Sequence, residues 1–238
     1  MKTPNHGRLF FLAIIPGIFL FWYGCSKSND NNTTKKGAVA DIDGNYYDTV
    51  RIGTQTWMVQ NLMTTKLNDG TSIPLVTDST GWSGLSTPGY CWYNNDISSK
   101  AQYGALYNWY AVKTGKLCPA GWHVPSFYEW SILITYLGGG SVAGGKLKTT
   151  GTIEDGTGLW YAPNEQATNE SGFSAKPGGY RYYSGNFMYS IGHLCYQWAS
   201  NEYDSTYAWG LNLYSANASA GLTYGDKRYG FSVRCIKD

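Results

Sequence analysis

The chain has 238 residues, with 18 basic against 16 acidic side chains and a net charge of +2. That balance lacks the basic footprint of a nucleic-acid-binding domain and excludes nucleic acid as a partner. Aromatic residues make up 16% of the chain, with 21 Tyr and 10 Trp beside 30 Gly, which suits a compact exported fold or a surface that stacks on sugars or peptides.

Residues 9–23 read LFFLAIIPGIFLFWY, after Lys2 and Arg8 and before Gly24-Cys25-Ser26. A basic start, an apolar run too short for a comfortable membrane span and a small residue ahead of a cysteine mark an export signal that is cut. The arrangement resembles a bacterial lipoprotein signal peptide with its lipobox, although Trp22 stands where Leu is usual. The resemblance implies cleavage before Cys25 and acyl chains on that residue. By analogy with sorting signals, Ser26 points to a lipid anchor in the cell outer membrane, on either face. Residues 1–24 are then the signal peptide and 25–38 a lipidated tether, since SKSNDNNTTKKG (26–37) has no aromatic or branched aliphatic side chain. Residues 39–238 remain for one domain of ordinary core size.

The domain opens with turn signals at Asp43-Gly44 and Gly53, flanked by strand-like 47–52 and 56–59, a small antiparallel ladder. The DIDGN string at 41–45 lacks the full calcium-loop pattern and reads as an Asp-Gly turn. A loop-rich stretch at 68–89 needs side-chain pins, for which Trp82 and Tyr90 are candidates. In QYGALYNWYAV (102–112), Tyr103, Leu106, Tyr107 and Tyr110 fall at i, i+3, i+4 and i+7 and predict a helix ended by Lys113-Thr114-Gly115. A second helix is marked by the capping-box spacing of Ser126 and Glu129, the apolar stripe Trp130, Leu133, Ile134 and Leu137, and Gly138 at the C′ position. Residues 138–179 predict only short strands. Alternating segments follow: FMYSIGHLCYQWAS, YAWGLNLY and YGFSVRCIK. In the last, Phe231, Val233 and Cys235 share one face, with Ser232, Arg234 and Ile236 on the other, as in a strand with one buried side. Two helices amid short strands and long loops predict an α+β fold, without the strand–helix rhythm of a doubly wound sheet.

Beyond Cys25 the cysteines are Cys91, Cys118, Cys195 and Cys235. An even set in an exported chain favours two disulfides; of three possible pairings, Cys118–Cys235 with Cys91–Cys195 is the expected one. There is no CxxC, and His123 and His193 stand at no ligand spacing, so neither metal nor cofactor is expected. No G-x-S-x-G surrounds a serine. His123 is expected to hold a strand-to-helix turn, and a bridge at Cys195 would remove a Cys–His pair with His193. Glu129 is taken by the cap, and Glu154, Asp155, Glu165 and Glu170 fall in a loop rather than across a cleft. No catalytic residue is singled out.

Several strings resemble one family: RIGTQTWMVQNL (51–62), YCWYNND (90–96), YGALYNWYAV (103–112), LCPAGWHVPSFYEW (117–130) and GFSVRCIKD (230–238) look like the Fibrobacter succinogenes major paralogous domain. The resemblance spans about residues 40–238 and implies an exported protein. It also implies a more distant kinship with C-type-lectin-like and formylglycine-generating-enzyme folds, and it carries no established reaction. This chain departs from the family at Cys195, in GHLCYQWASNE (192–202). The expected function is a non-catalytic binding or structural module at the cell envelope, for polysaccharide or an envelope protein. Trp82, Trp92, Tyr182, Tyr183 and Trp209 are its candidate binding rings. Tyr182 and Tyr183, beside a turn at Ser184-Gly185-Asn186, are expected on opposite faces of a strand. The alternatives are an enzyme acting on extracellular polymers and a subunit of an outer-surface assembly.

Overall fold

A computed structural model describes residues 1–2, 38–188 and 190–238. Cys25, the signal reading and the tether at 26–37 lie outside the described residues. Strands β1 (Val39–Ala40) and β2 (Tyr46–Tyr47) pair across the Asp41–Asn45 turn. Asp41 Oδ1 accepts the N–H groups of Asp43 and Asn45, while Oδ2 accepts from Asn45 Nδ2 and the Tyr47 hydroxyl. Asp43 is held by Thr65 and Lys66. Both carboxylates are thus occupied by the chain's own donors, as in an Asx turn. β3 (Thr49–Ile52) and β4 (Gln55–Met58) pair with each other in a separate sheet, with Thr49 opposite Met58.

The 68–89 loop carries a short helix, α1 (Ser79–Ser83), whose Trp82 is fully buried. Next, β5 (Tyr90–Cys91) pairs with β6 (Leu106–Tyr107), and between them lies α2 (Lys100–Tyr103). The helix expected over 102–112 is therefore broken. Gly104 adopts φ +78° and ψ −168°, a conformation that ends a helix and that side chains resist. Its backbone also packs so closely on Asn61 that a Cβ would sit 2.7 Å from that residue's Cβ. Helix α3 (Trp109–Lys113) restarts after Asn108, whose Oδ1 accepts from Ala111 N–H. Leu106 and Tyr107 are buried as strand residues, between Tyr103 of α2 and Tyr110 of α3, so a helical spacing here arose from three different elements.

β7 (Trp122–His123) leads into α4 (Phe127–Tyr136), which has the expected capping box between Ser126 and Glu129. At its end Gly138 N–H donates to Thr135 O and Gly139 N–H to Ile134 O, the paired bonds of a Schellman motif, with Gly138 at φ +101°. Trp130, Leu133, Ile134 and Leu137 are all buried. A further helix, α5 (Ala143–Leu147), lies where only short strands were expected. Its sequence, AGGKL, has poor helix propensity. The glycines fit because a Cβ at Gly144 would overlap the Ser219 carbonyl, and one at Gly145 the Gln166 carbonyl.

β8 (Leu194–Glu202), β9 (Tyr207–Tyr214) and β10 (Ala220–Asp226) form an antiparallel sheet ordered β10-β9-β8, and β11 (Ile236–Lys237) lies between β4 and β7 in a second sheet. Together these elements make a mixed α+β domain with small open sheets. On β9, Leu211 and Leu213 join Trp130 and Leu133 of α4 in one core, whereas Ala208 on the opposite face joins Trp198, Phe231 and Val233 in another. The last segment is not half-exposed as its alternation suggested. Phe231, Val233 and Cys235 enter one core and Ile236 the other, and Ser232 and Arg234 are buried as well.

Cys118 and Cys235 form a disulfide with Cα atoms 6.0 Å apart, closing a loop between positions 117 apart in sequence. In the chain-entropy account such a loop stabilises by about 4–5 kcal/mol. The second expected bridge is absent: Cys91 and Cys195 are buried free thiols. They sit in separate clusters, Cys91 with Trp82, Tyr93 and Leu106, and Cys195 with the α4 and Phe173 core.

Cationic side chains hold the irregular loops. Lys148, Arg181 and Arg234 are fully buried. Lys148 Nζ donates to the carbonyls of Glu165 (3.0 Å), Tyr214 (3.0 Å) and Asn217 (2.9 Å). Arg181 lies between the Trp82 and Phe187 rings and donates to the carbonyls of Val76, Thr77 and Gly185. Arg234 stacks on Phe173, donating to its carbonyl and to Asn61 Oδ1. Loop backbone that would otherwise be buried without partners is satisfied in this way.

Candidate functional site

The five candidate rings do not come together. Trp82 is fully buried and Trp92 nearly so, at 4% exposure. Trp82 Nε1 donates to Arg228 O across the pinned loop, so these two are scaffold and not binding residues. Tyr182 and Tyr183 are not on opposite faces either. Both belong to the tight turn closed by the Gly185 N–H donating to Tyr182 O, and their rings lie 4.3 Å apart. Tyr182 packs on Tyr229, and the exposed Tyr183 lies under the Arg228 guanidinium.

Trp209 stands elsewhere, half-buried on β9. The face of β9 that α4 covers at Leu211 and Leu213 runs out beyond the start of that helix, where Phe127 packs on the Trp209 ring at 4.6 Å. Trp209 is directly opposite Tyr224 of β10. Tyr203, in the turn after β8, meets Trp209 edge-on at 5.1 Å and stacks on Tyr224 at 4.3 Å. Tyr128, Tyr203, Tyr207 and Tyr224 are all exposed. The result is an aromatic surface that a helix and a sheet build jointly. Phe127, Tyr128, Asn201, Glu202 and Trp209 line an open recess of about 290 Å³ in it.

The polar members of the recess are fixed. Asn201 Oδ1 accepts from the Phe127 N–H at 2.7 Å, tying the helix start to β8. Glu202 pairs with Lys113 at 2.9 Å and Lys227 at 3.5 Å. Its pKa is lowered, first by the Lys113 hydrogen bond, so it is an anion and a hydrogen-bond acceptor at neutral pH. It is the one carboxylate among these lining residues, whereas glycoside hydrolysis needs an opposed pair.

The groups considered for chemistry are held in structural roles. His123 Nδ1 lies 2.7 Å from Asp238 Oδ1 and Nε2 2.8 Å from Glu129 Oε1, so both ring nitrogens are engaged. Burial works to lower its pKa, but the hydrogen bonds with Asp238 and Glu129 outweigh it and raise the value. The ring thus clasps the turn before α4. His193 is exposed and stacks on Tyr161 at 4.4 Å, while burial pushes the Cys195 thiol up to about 11. A free but buried and protonated thiol is inert. Among the described residues no group of three His, Cys, Asp or Glu side chains could hold a metal ion, and no described helix is long and apolar enough to cross a membrane.

Phe127, Tyr128, Tyr203 and Tyr224 were not singled out from the sequence. Phe127 and Tyr128 stood inside a helix start already explained by its cap, and only the tertiary fold brings them to Trp209.

Fold and surface define a mixed α+β domain with one internal disulfide, loops held by buried cations, and an open aromatic recess. The chain belongs to the Fibrobacter succinogenes major domain family, whose sequence profile matches residues 50–237. No curated protein and no solved structure matches it.

Proposed function

We propose that this domain is a non-catalytic saccharide-binding module of the cell envelope, held at the outer membrane by acyl chains on Cys25. The supporting observation is the recess around Trp209. Its apolar floor, Phe127 and Trp209, suits the C–H face of a sugar ring, and Asn201 and Glu202 supply polar groups at the rim for hydroxyls. The absence of an opposed carboxylate among the lining residues favours binding over hydrolysis. Lipidation and outer-membrane location rest on the signal architecture at residues 2–26. Kinship with C-type-lectin-like folds rests on the family resemblance and is part of this reading.

The test is a glycan array on detergent-purified full-length protein, followed by calorimetric titration of each glycan bound. Trp209→Ala and Tyr128→Ala should each weaken binding at least about tenfold, or 1.4 kcal/mol. Tyr128 is largely exposed, at 73%, so its removal tests the recess without opening the core. Retained affinity in a folded Tyr128→Ala variant together with Trp209→Ala would refute the site. In parallel, Cys25→Ala should move the protein out of the detergent phase. Wild-type protein whose intact mass carries no acyl chain would refute the anchor.

A further inference from the structure

The outer edge of β10 is a second, independent feature, and it rests on backbone geometry rather than on the saccharide reading. In an antiparallel pair, alternate residues turn both N–H and C=O toward the neighbouring strand and the others turn both away. The Ala220 N–H donates to Gly140 O, not to β9, which fixes the parity. Leu222 and Tyr224 share it, so their four backbone groups point outward. No partner for them exists among the described residues, and β10 has only β9 beside it.

The other long strand at an edge of this sheet is not open. β8 is flanked on its outer side by parallel bridges from Gly179 to Cys195 and from Gln197 to Ser232. Edge strands are normally blunted by charge, proline, a bulge or shortness. β10 is seven residues long, pairs with β9 in unbroken register, and has neither charge nor proline from Ala220 to Gly225.

We propose that β10 is an interaction edge that pairs antiparallel with β10 of a second copy of this chain, about a two-fold axis at Thr223. This register sets Leu222 opposite Tyr224 of the second copy, and Tyr224 opposite its Leu222. Both are hydrogen-bonded pairs, so all four outward groups of each copy are satisfied. The uncharged stretch meets itself without like-charge repulsion, and Gly221 falls opposite Gly225, where no side chains collide. The pairing stops at Ala220, whose outward N–H Gly140 already holds. The apolar pair Leu222–Tyr224 lies on the same face as Trp209, so the two aromatic surfaces would adjoin across the axis.

The register makes a specific test possible. Thr223 residues would face each other in a non-hydrogen-bonded pair with Cα atoms about 4.5 Å apart, within disulfide range. Thr223→Cys in the full-length protein, displayed in the cell envelope under mild oxidation, should give a covalent dimer on a non-reducing gel. Leu222→Cys, which would face Tyr224 rather than its own copy, should give at least tenfold less. Adding Leu222→Pro to Thr223→Cys removes an outward donor while sparing the β9 ladder, and should abolish the cross-link. No dimer from folded Thr223→Cys protein, equal dimer from Leu222→Cys, or a cross-link that survives Leu222→Pro would each overturn the proposal. Wild-type sedimentation in detergent gives a further reading, and a strictly monomeric mass at cross-linking concentrations would count against it.

Discussion

Lys148→Met sets the largest opposing effects against each other. The side chains are similar in length, so little cavity opens, and the change isolates the ammonium. Losing it leaves the carbonyls of Glu165, Tyr214 and Asn217 without that donor. A buried group stripped of its partner costs about 1–3 kcal/mol, giving a gross loss of roughly 3–9 kcal/mol. Against this, the wild type bears the desolvation of a fully buried cation, a penalty of several kcal/mol that Met removes. Burial pulls the Lys148 pKa down only to about 8, so at neutral pH the cation persists and its desolvation is largely compensated. Some of the lost bonding also returns as the loops relax toward water. We expect a net loss of about 2–4 kcal/mol, or roughly 5–15 °C in Tm for a domain of this size. Urea and thermal unfolding followed by near-ultraviolet circular dichroism would measure it. Lys146→Met is the control: its ion pair with Glu170 is partly exposed at 2.9 Å and should be worth under about 1 kcal/mol. A Lys148→Met protein as stable as the control would refute the view that these carbonyls depend on the ammonium.

Leu133→Ala should cost about 2–5 kcal/mol through lost transfer and a cavity under the β9 face, whereas Ser126→Ala should cost about 0.5–2 kcal/mol through lost capping; chemical denaturation orders the two, and equal tolerance would contradict the packing of α4. The His123 clasp should be pH-dependent with a definite sign. The raised His123 pKa gives stability that is complete below the unfolded value of about 6.5 and fades as pH rises through the folded one. For Glu129, burial works to raise the pKa, but the Ser126 N–H and then His123 outweigh it and lower it, so its contribution is present above about 4.3 and fades in acid. The Tm difference between wild type and His123→Gln should therefore peak between about pH 4.5 and 6.5, and a difference that grows above pH 8 would reverse the argument.

Local features of the domain were legible in the sequence. The Asp-Gly turn, the capping box at Ser126 and the C′ glycine at 138 depend on hydrogen bonds within a few residues, and they formed as read. The Cys118–Cys235 bridge formed as expected, but cysteine counting left three pairings open and the fold chose among them. The α+β class was readable for the same reason, since it sums local elements. Where a pattern depended on distant partners, it misled. Tyr103, Leu106, Tyr107 and Tyr110 have helical spacing, yet the close approach of Asn61 to Gly104 decides that the chain bends there. AGGKL is a poor helix on propensity, and it becomes one because Ser219 and Gln166 need the space its glycines leave. Cys91 and Cys195 are an even remainder by count, but the fold sends them to different cores. The aromatic recess shows the same division. Composition announced many rings, but only tertiary packing sorted buried Trp82 and Trp92 from surface Trp209, because burial depends on which segments cover a ring and not on the ring itself.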